Sequence, residues 1–151
     1  MVRRFAQKRR RGAVAVESTV ALPVLLFFIL ATLVSGYGVF RYQQISLLAR
    51  EAARYASVHG GQYHLETGNA AATSQDVYNN AILPYAVNLD LSQLSYTVTW
   101  NTSNMPYSVG SDYVTPTNNT VTVTVNYNWF PEAYLIGPVV LTSTSTMPMS
   151  Y

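Results

Sequence analysis

Residues 18–40 read STVALPVLLFFILATLVSGYGVF, 23 consecutive positions without a charged side chain. About 20 apolar residues are enough for a helix to cross roughly 30 Å of hydrocarbon. The run is longer than the roughly 7–15-residue core of a cleaved secretory signal, and no small-residue cleavage site follows it. It therefore reads as one transmembrane helix. As a buried core helix it would need covering on all sides, and the rest of the chain is too small for that.

The charges on either side orient the span. Six of the nine basic residues precede it: Arg3, Arg4, Lys8, Arg9, Arg10 and Arg11. After Gly12 there are only Arg41, Arg50 and Arg54, against seven acids, so a basic leader precedes a mildly acidic body. A basic run abutting an apolar span is the pattern that holds an N-terminus in the cytoplasm. That accounts for the basic residues without nucleic acid as a partner.

Beyond the span the pattern stays helical. Ile45, Leu48, Ala49, Ala52, Tyr55 and Ala56 recur at helical spacing, and Gln44, Arg50, Glu51, Arg54 and Ser57 fall largely elsewhere. His59, Gly60 and Gly61 supply a stop, with a glycine free to take the left-handed cap conformation. A helix over 13–58 would be about 69 Å long at 1.5 Å per residue, roughly twice the bilayer. Its outer half must pack on the C-terminal domain or on other subunits. Pro23 lies inside the span, where it removes one helical hydrogen bond. Gly36 and Gly38 near its outer end would let another helix approach closely or loosen the helix end.

The external part is polar and β-rich. Charged residues make up only 11% of the chain, and 12 tyrosines are present. Residues 60–73 read as a loop. Thr73 and Asp76 have capping-box spacing and predict a short helix through Val77, Ala81 and Ile82 that Pro84 ends or bends. Leu94, Tyr96, Val98 and Trp100 alternate with Ser95, Thr97 and Thr99. Val121, Val123, Val125, Tyr127 and Trp129 alternate with Thr120, Thr122, Thr124, Asn126 and Asn128. Period two with β-branched residues predicts strands, and a third is expected over 139–147. Residues 101–119 read as a long loop and 130–138 as a connector. The expectation is an α+β, pilin-like fold: one long transmembrane and amphipathic helix packed through the Val/Tyr/Trp face on a small antiparallel sheet of about three strands. The sheet edges would be open to pairing with other chains. The domain boundaries are 1–12 for the basic leader, 13–58 for the helix and 59–151 for the extracytoplasmic domain.

Catalytic chemistry finds little footing. No cysteine is present, which removes thiolate catalysis and Cys-ligated metal. His59, His64 and Glu66 lack a third nitrogen ligand, and neither histidine has a partner suited to activating a nucleophile. Glu66, Asp76, Asp90, Asp112 and Glu132 are scattered over different elements. No phosphate-binding glycine loop occurs. No enzymatic activity, metal, cofactor or small-molecule substrate is expected. At strand period two, Trp100 and Trp129 are core residues before they are sugar platforms.

The junction Lys8-Arg9-Arg10-Arg11-Gly12-Ala13-Val14-Ala15-Val16-Glu17 resembles the leader of type IV prepilins, which a membrane-embedded peptidase cuts after the glycine. The resemblance implies that Ala13 becomes the new N-terminus. It also implies that Glu17 pairs with the free amine of a neighbouring subunit, rewarding register as subunits stack. Ala13 differs from the aromatic or Met common at that place, and Ser18 stands where Flp-type pilins carry Tyr. The wider stretch, with Arg10 to Ala13, Val16-Glu17, Leu22-Pro23 and Arg50 to Ala56, resembles the TadE-like family of the tight-adherence (Tad) pilus systems. That resemblance implies a minor pseudopilin of the bacterial inner membrane that assembles, primes or anchors an adhesion pilus. Its implied partners are membrane lipids, the prepilin peptidase and other pilins or pseudopilins. The alternative is an uncleaved, single-pass binding or scaffold protein carrying an external β-domain.

Overall fold

The computed structural model describes residues 3–101, 119–131 and 137–150, with the side chains of 3–11, 13 and 62 excepted. Most of the expected loop over 101–119 and part of the connector over 130–138 fall outside this set, as do Asp112 and Glu132. The chain divides into two compact units, Met1–Gly38 and Val39–Tyr151.

One helix, α1, runs over Arg3–Val58 and continues through Pro23. It begins ten residues before the expected Ala13, within the basic leader. In the first unit, residues 14–30 expose their side chains, including Leu22, Leu25, Phe27 and Phe28. A helix apolar on every side is suited to lipid rather than water. Its threonines leave no polar group stranded there. Thr19 Oγ1 donates to the Ala15 carbonyl at 2.7 Å, and Thr32 Oγ1 to that of Phe28 at 2.8 Å.

The second unit is built on the other half of α1. Ile45, Leu48, Ala49, Ala52, Ala53 and Ala56 are wholly buried. Four of these are alanines, so neighbouring elements can approach the helix closely. Val121, Val123 and Val125 on the middle strand are equally buried, and Val77 and Ile82 complete the core. Each such Val, Leu or Ile contributes roughly 1.5–3 kcal/mol relative to an exposed position.

The sheet is antiparallel in the order β1-β2-β3, with β1 at Leu94–Trp100, β2 at Thr120–Trp129 and β3 at Val139–Pro148. The α+β class and all three strands read from the sequence are therefore present. β2 buries every second side chain, as its alternation requires. Its other face joins polar ranks across all three strands. Thr97, Thr124 and Thr144 lie in one rank, Thr99, Thr122 and Thr146 in the next, and Ser95, Asn126 and Thr142 in a third. Hydroxyls meet across β2 and β3 at 2.9 Å for Thr122–Thr146 and 3.0 Å for Thr124–Thr144.

Between α1 and β1 the chain differs from expectation. Residues 61–67, read as loop, form α2 (Gly61–Thr67). α1 does stop at Val58, but Gly60 has φ −89° and is not left-handed. The left-handed cap lies at Gly68, φ 75°, where it ends α2. The chain passes from one helix almost directly into another, so the glycine that turns it away is the later one. α3 (Ser74–Val77) opens with the expected capping box, in which Thr73 Oγ1 accepts from the Asp76 N–H and the Asp76 carboxylate accepts from the Thr73 N–H at 2.9 Å. It widens into a π-helical turn at Tyr78–Ile82 and tightens to a 3-10 turn at Leu83–Tyr85, around Pro84. Tyr78 stacks on Tyr96 of β1 with ring centres 4.9 Å apart.

Candidate assembly surface

The residues expected to matter lie at the start of α1. Gly12 is exposed, with open space around its Cα. Lys8, Arg9, Arg10, Arg11 and Ala13 have helical backbone, and their side chains lie outside the described residues. Glu17 sits at one end of an open groove along the helix, lined by Val20, Ala21, Val24, Leu25 and Phe28. This spacing of three and four residues places the carboxylate at the head of one continuous apolar stripe. No hydrogen bond or ion pair reaches that carboxylate among the described residues. A carboxylate at a membrane boundary is costly until it is partnered or hydrated.

The side chains considered for chemistry are occupied structurally. His59 Nδ1 donates to the Tyr55 carbonyl at 2.9 Å, and its ring stacks on Tyr55 with centres 4.1 Å apart. His64 Nδ1 donates to the Asn69 carbonyl at 2.7 Å. Among the described residues no three potential metal ligands come together. Asp76 is held below the usual carboxylate range, first by the Thr73 hydroxyl and then by its backbone N–H. Asp90 is lowered in the same way by Ser92. Burial, and then the Asp76 charge, push the Tyr55 phenol up. Tyr55 and Asp76 are thus near enough to interact, whereas Asp90 is perturbed only by its own local turn, and all three shifts trace to capping or packing.

The segment from Gly12 to Arg54 carries the decisive comparison. Residues 12–54 match the family model of the TadE-like protein. The match starts at the glycine of the expected cut and ends within the buried half of α1, and it covers under a third of the chain. There is no match among curated proteins or among solved structures. This segment is therefore similar to a TadE-like protein, and the helix it belongs to is long and apolar enough to cross a membrane. The sheet domain follows the matched region.

Sequence reasoning missed two side-chain links. Arg41 Nη1 donates to the Asn88 carbonyl at 2.7 Å, across 47 residues of chain. The Asp90 N–H donates to the Tyr127 hydroxyl at 3.4 Å. Neither has a local signature. The one hint available is an apolar Val87 beside Asn88 in what is otherwise turn-type sequence.

Proposed function

We propose that the chain is a minor pseudopilin of a Tad pilus, cut after Gly12 by a prepilin peptidase and assembled laterally through the face that Glu17 heads. It lies in the bacterial inner membrane, with the leader in the cytoplasm and the sheet domain outside. Other pilins or pseudopilins cover the stripe from Glu17 to Phe28. The amine that cleavage creates at a neighbour's Ala13 meets the Glu17 carboxylate. The observation that carries this reading is the Glu17 carboxylate, which has no partner among the described residues, at the head of an apolar stripe inside the TadE-like segment. Its work is packing and register rather than catalysis.

The alternative is an uncleaved scaffold or binding protein, and the unbroken helix through Gly12 favours it. A peptidase needs extended backbone, so the helix must open there. Glycine reduces that cost, because it destabilises a helix interior by about 1 kcal/mol relative to alanine. Mass spectrometry of the membrane-extracted protein, from cells that encode the peptidase, separates the two readings. A mature chain starting at Ala13, with Gly12→Leu retaining the leader, supports the pseudopilin. A wild-type chain retaining residues 1–12 overturns processing and leaves the fixed scaffold.

A further inference from the structure

Within the second unit, two links orient the sheet along residues 39–58 of α1. Arg41 holds the Asn88 carbonyl at 2.7 Å. The Ser57 carbonyl accepts from the Ser150 N–H at 2.9 Å. Arg41 to Ser57 spans about 24 Å of helix at 1.5 Å per residue. Val121 to Trp129 spans about 27 Å of strand at 3.4 Å per residue. Strand and helix are therefore matched in length, and the sheet has an Arg41 end and a Ser57 end. Asp90 meets Tyr127, and Asn128 Nδ2 donates to Gln93 Oε1 at 3.3 Å. The end of β2 and the start of β3 thus lie at the Arg41 end. Thr120 and Pro148, paired at the opposite end, lie near Ser57.

The two ends differ in character. At the Arg41 end Leu83, Tyr85, Val87, Phe130 and Val140 are all exposed, Val87 by 61% and Val140 by 66%. Ala86 and Leu89 on either side of the Val87–Asn88 turn are buried, so the turn is firmly seated with its valine outward. The described residues at the Ser57 end include Asn101, Asn119, Thr120 and Ser150. Arg41 is the first charged residue after the apolar run, and such residues stand at the membrane interface. The unit itself contains Val39 and Phe40, the last two residues of that run.

We infer that the Arg41 end of the sheet domain is a second membrane contact, which seats the Leu83–Val87 turn, Phe130 and Val140 in the outer interface of the bilayer. The occupant is lipid because Val39 and Phe40, the last residues of the apolar run, enter the second unit at this same end beside Arg41, and because a tyrosine accompanies its apolar side chains, as in an interfacial belt. Its apolar tips enter the headgroup and upper acyl region, roughly 5–10 Å deep. This inference rests on the membrane-anchor reading and is independent of pilus assembly.

The lack of native cysteine allows a direct test. Val87→Cys, Tyr85→Cys, Thr144→Cys and Phe28→Cys full-length chains, each carrying an environment-sensitive fluorophore, are reconstituted in phosphatidylethanolamine/phosphatidylglycerol vesicles. Nitroxide lipids labelled at a shallow acyl position and aqueous iodide serve as quenchers. The expected result is blue-shifted emission at positions 85 and 87, with lipid quenching several-fold stronger than at Thr144 on the outer sheet face. Iodide-accessible, lipid-unquenched labels at 85 and 87 overturn the inference. Labels shielded from both quenchers also overturn it, in favour of a protein occupant. An unquenched label at Phe28 removes the anchor itself, and the inference with it.

Discussion

The backbone N–H of Ser150 donates to the carbonyl of Ser57 at 2.9 Å, joining the residues after β3 to the last turn of α1. A helix leaves its last four carbonyls without helical partners, and Ser57 is only 5% exposed, so water cannot readily replace this donor. Leaving a buried acceptor unpaired costs about 1–3 kcal/mol. Ser150→Pro deletes the donor and is expected to lower the denaturant midpoint accordingly, whereas Ser150→Ala keeps it and is expected to stay within about 0.5 kcal/mol of wild type. Equal stability of the two variants would show that the link carries no weight.

The two faces of the sheet make opposite demands at the same secondary structure. Val123 is wholly buried on β2, whereas Thr144 on β3 shares a hydroxyl contact with Thr124 on the exposed face. Val123→Thr places a hydroxyl where no partner waits, at an expected cost of about 1–3 kcal/mol. Thr144→Val leaves Thr124 open to water and is expected to change stability by no more than about 0.5 kcal/mol. Chemical denaturation of both variants in one detergent checks the contrast. Similar losses would mean that the outer hydroxyl ranks are structural.

What the sequence made legible was periodic. The alternation from Thr120 to Trp129 was enough to predict both the strand and its buried face, because side-chain direction in a strand is fixed by parity. Thr73 and Asp76 were readable because a capping box is local. α2 was not readable. Seven residues with a glycine at the first position are too few to show a helical period, and an isolated helix so short is marginal in water. Its surroundings hold it, including the Ala72 N–H on the His59 carbonyl at 2.8 Å and the Gly68 cap. The position of the left-handed glycine failed for the same reason, since it depends on whether another helix follows. At the start of α1, Gly12 and Glu17 were visible as a motif, and the stripe from Glu17 to Phe28 follows from helical spacing. The Arg41–Asn88 link was out of reach, because only the tertiary fold joins positions 47 residues apart.

Acid is expected to loosen the start of α3. The Asp76 carboxyl is depressed below its ordinary range by the Thr73 hydroxyl and N–H. A depressed group stabilises the fold above its unfolded value and loses that contribution as pH falls through the folded one. Stability should therefore decline from about pH 4 downward, with Asp90 contributing in the same sense through Ser92. Asp76→Asn should be less stable than wild type at neutral pH and show a shallower acid decline. Parallel pH profiles for the two chains would remove the carboxylate from the account.

Glu17 provides the test on which the assembly reading turns. The carboxylate heads the stripe of Val20, Ala21, Val24, Leu25 and Phe28, immediately before a run of 23 uncharged residues. If a neighbour's amine meets it there, removing one member of a desolvated charge pair costs about 2–5 kcal/mol. That predicts more than a tenfold loss of co-purifying pilins in Glu17→Ala. Glu17→Gln keeps the shape and hydrogen-bonding reach but not the charge, so its loss should be intermediate. Insertion is expected to be unchanged, because the apolar run is untouched and the substitution removes a charge from the boundary. Equal membrane levels with reduced pilin recovery would locate the defect in packing. Unchanged recovery in both variants would mean that the apolar stripe alone holds the neighbours, and that Glu17 is an ordinary headgroup-level carboxylate.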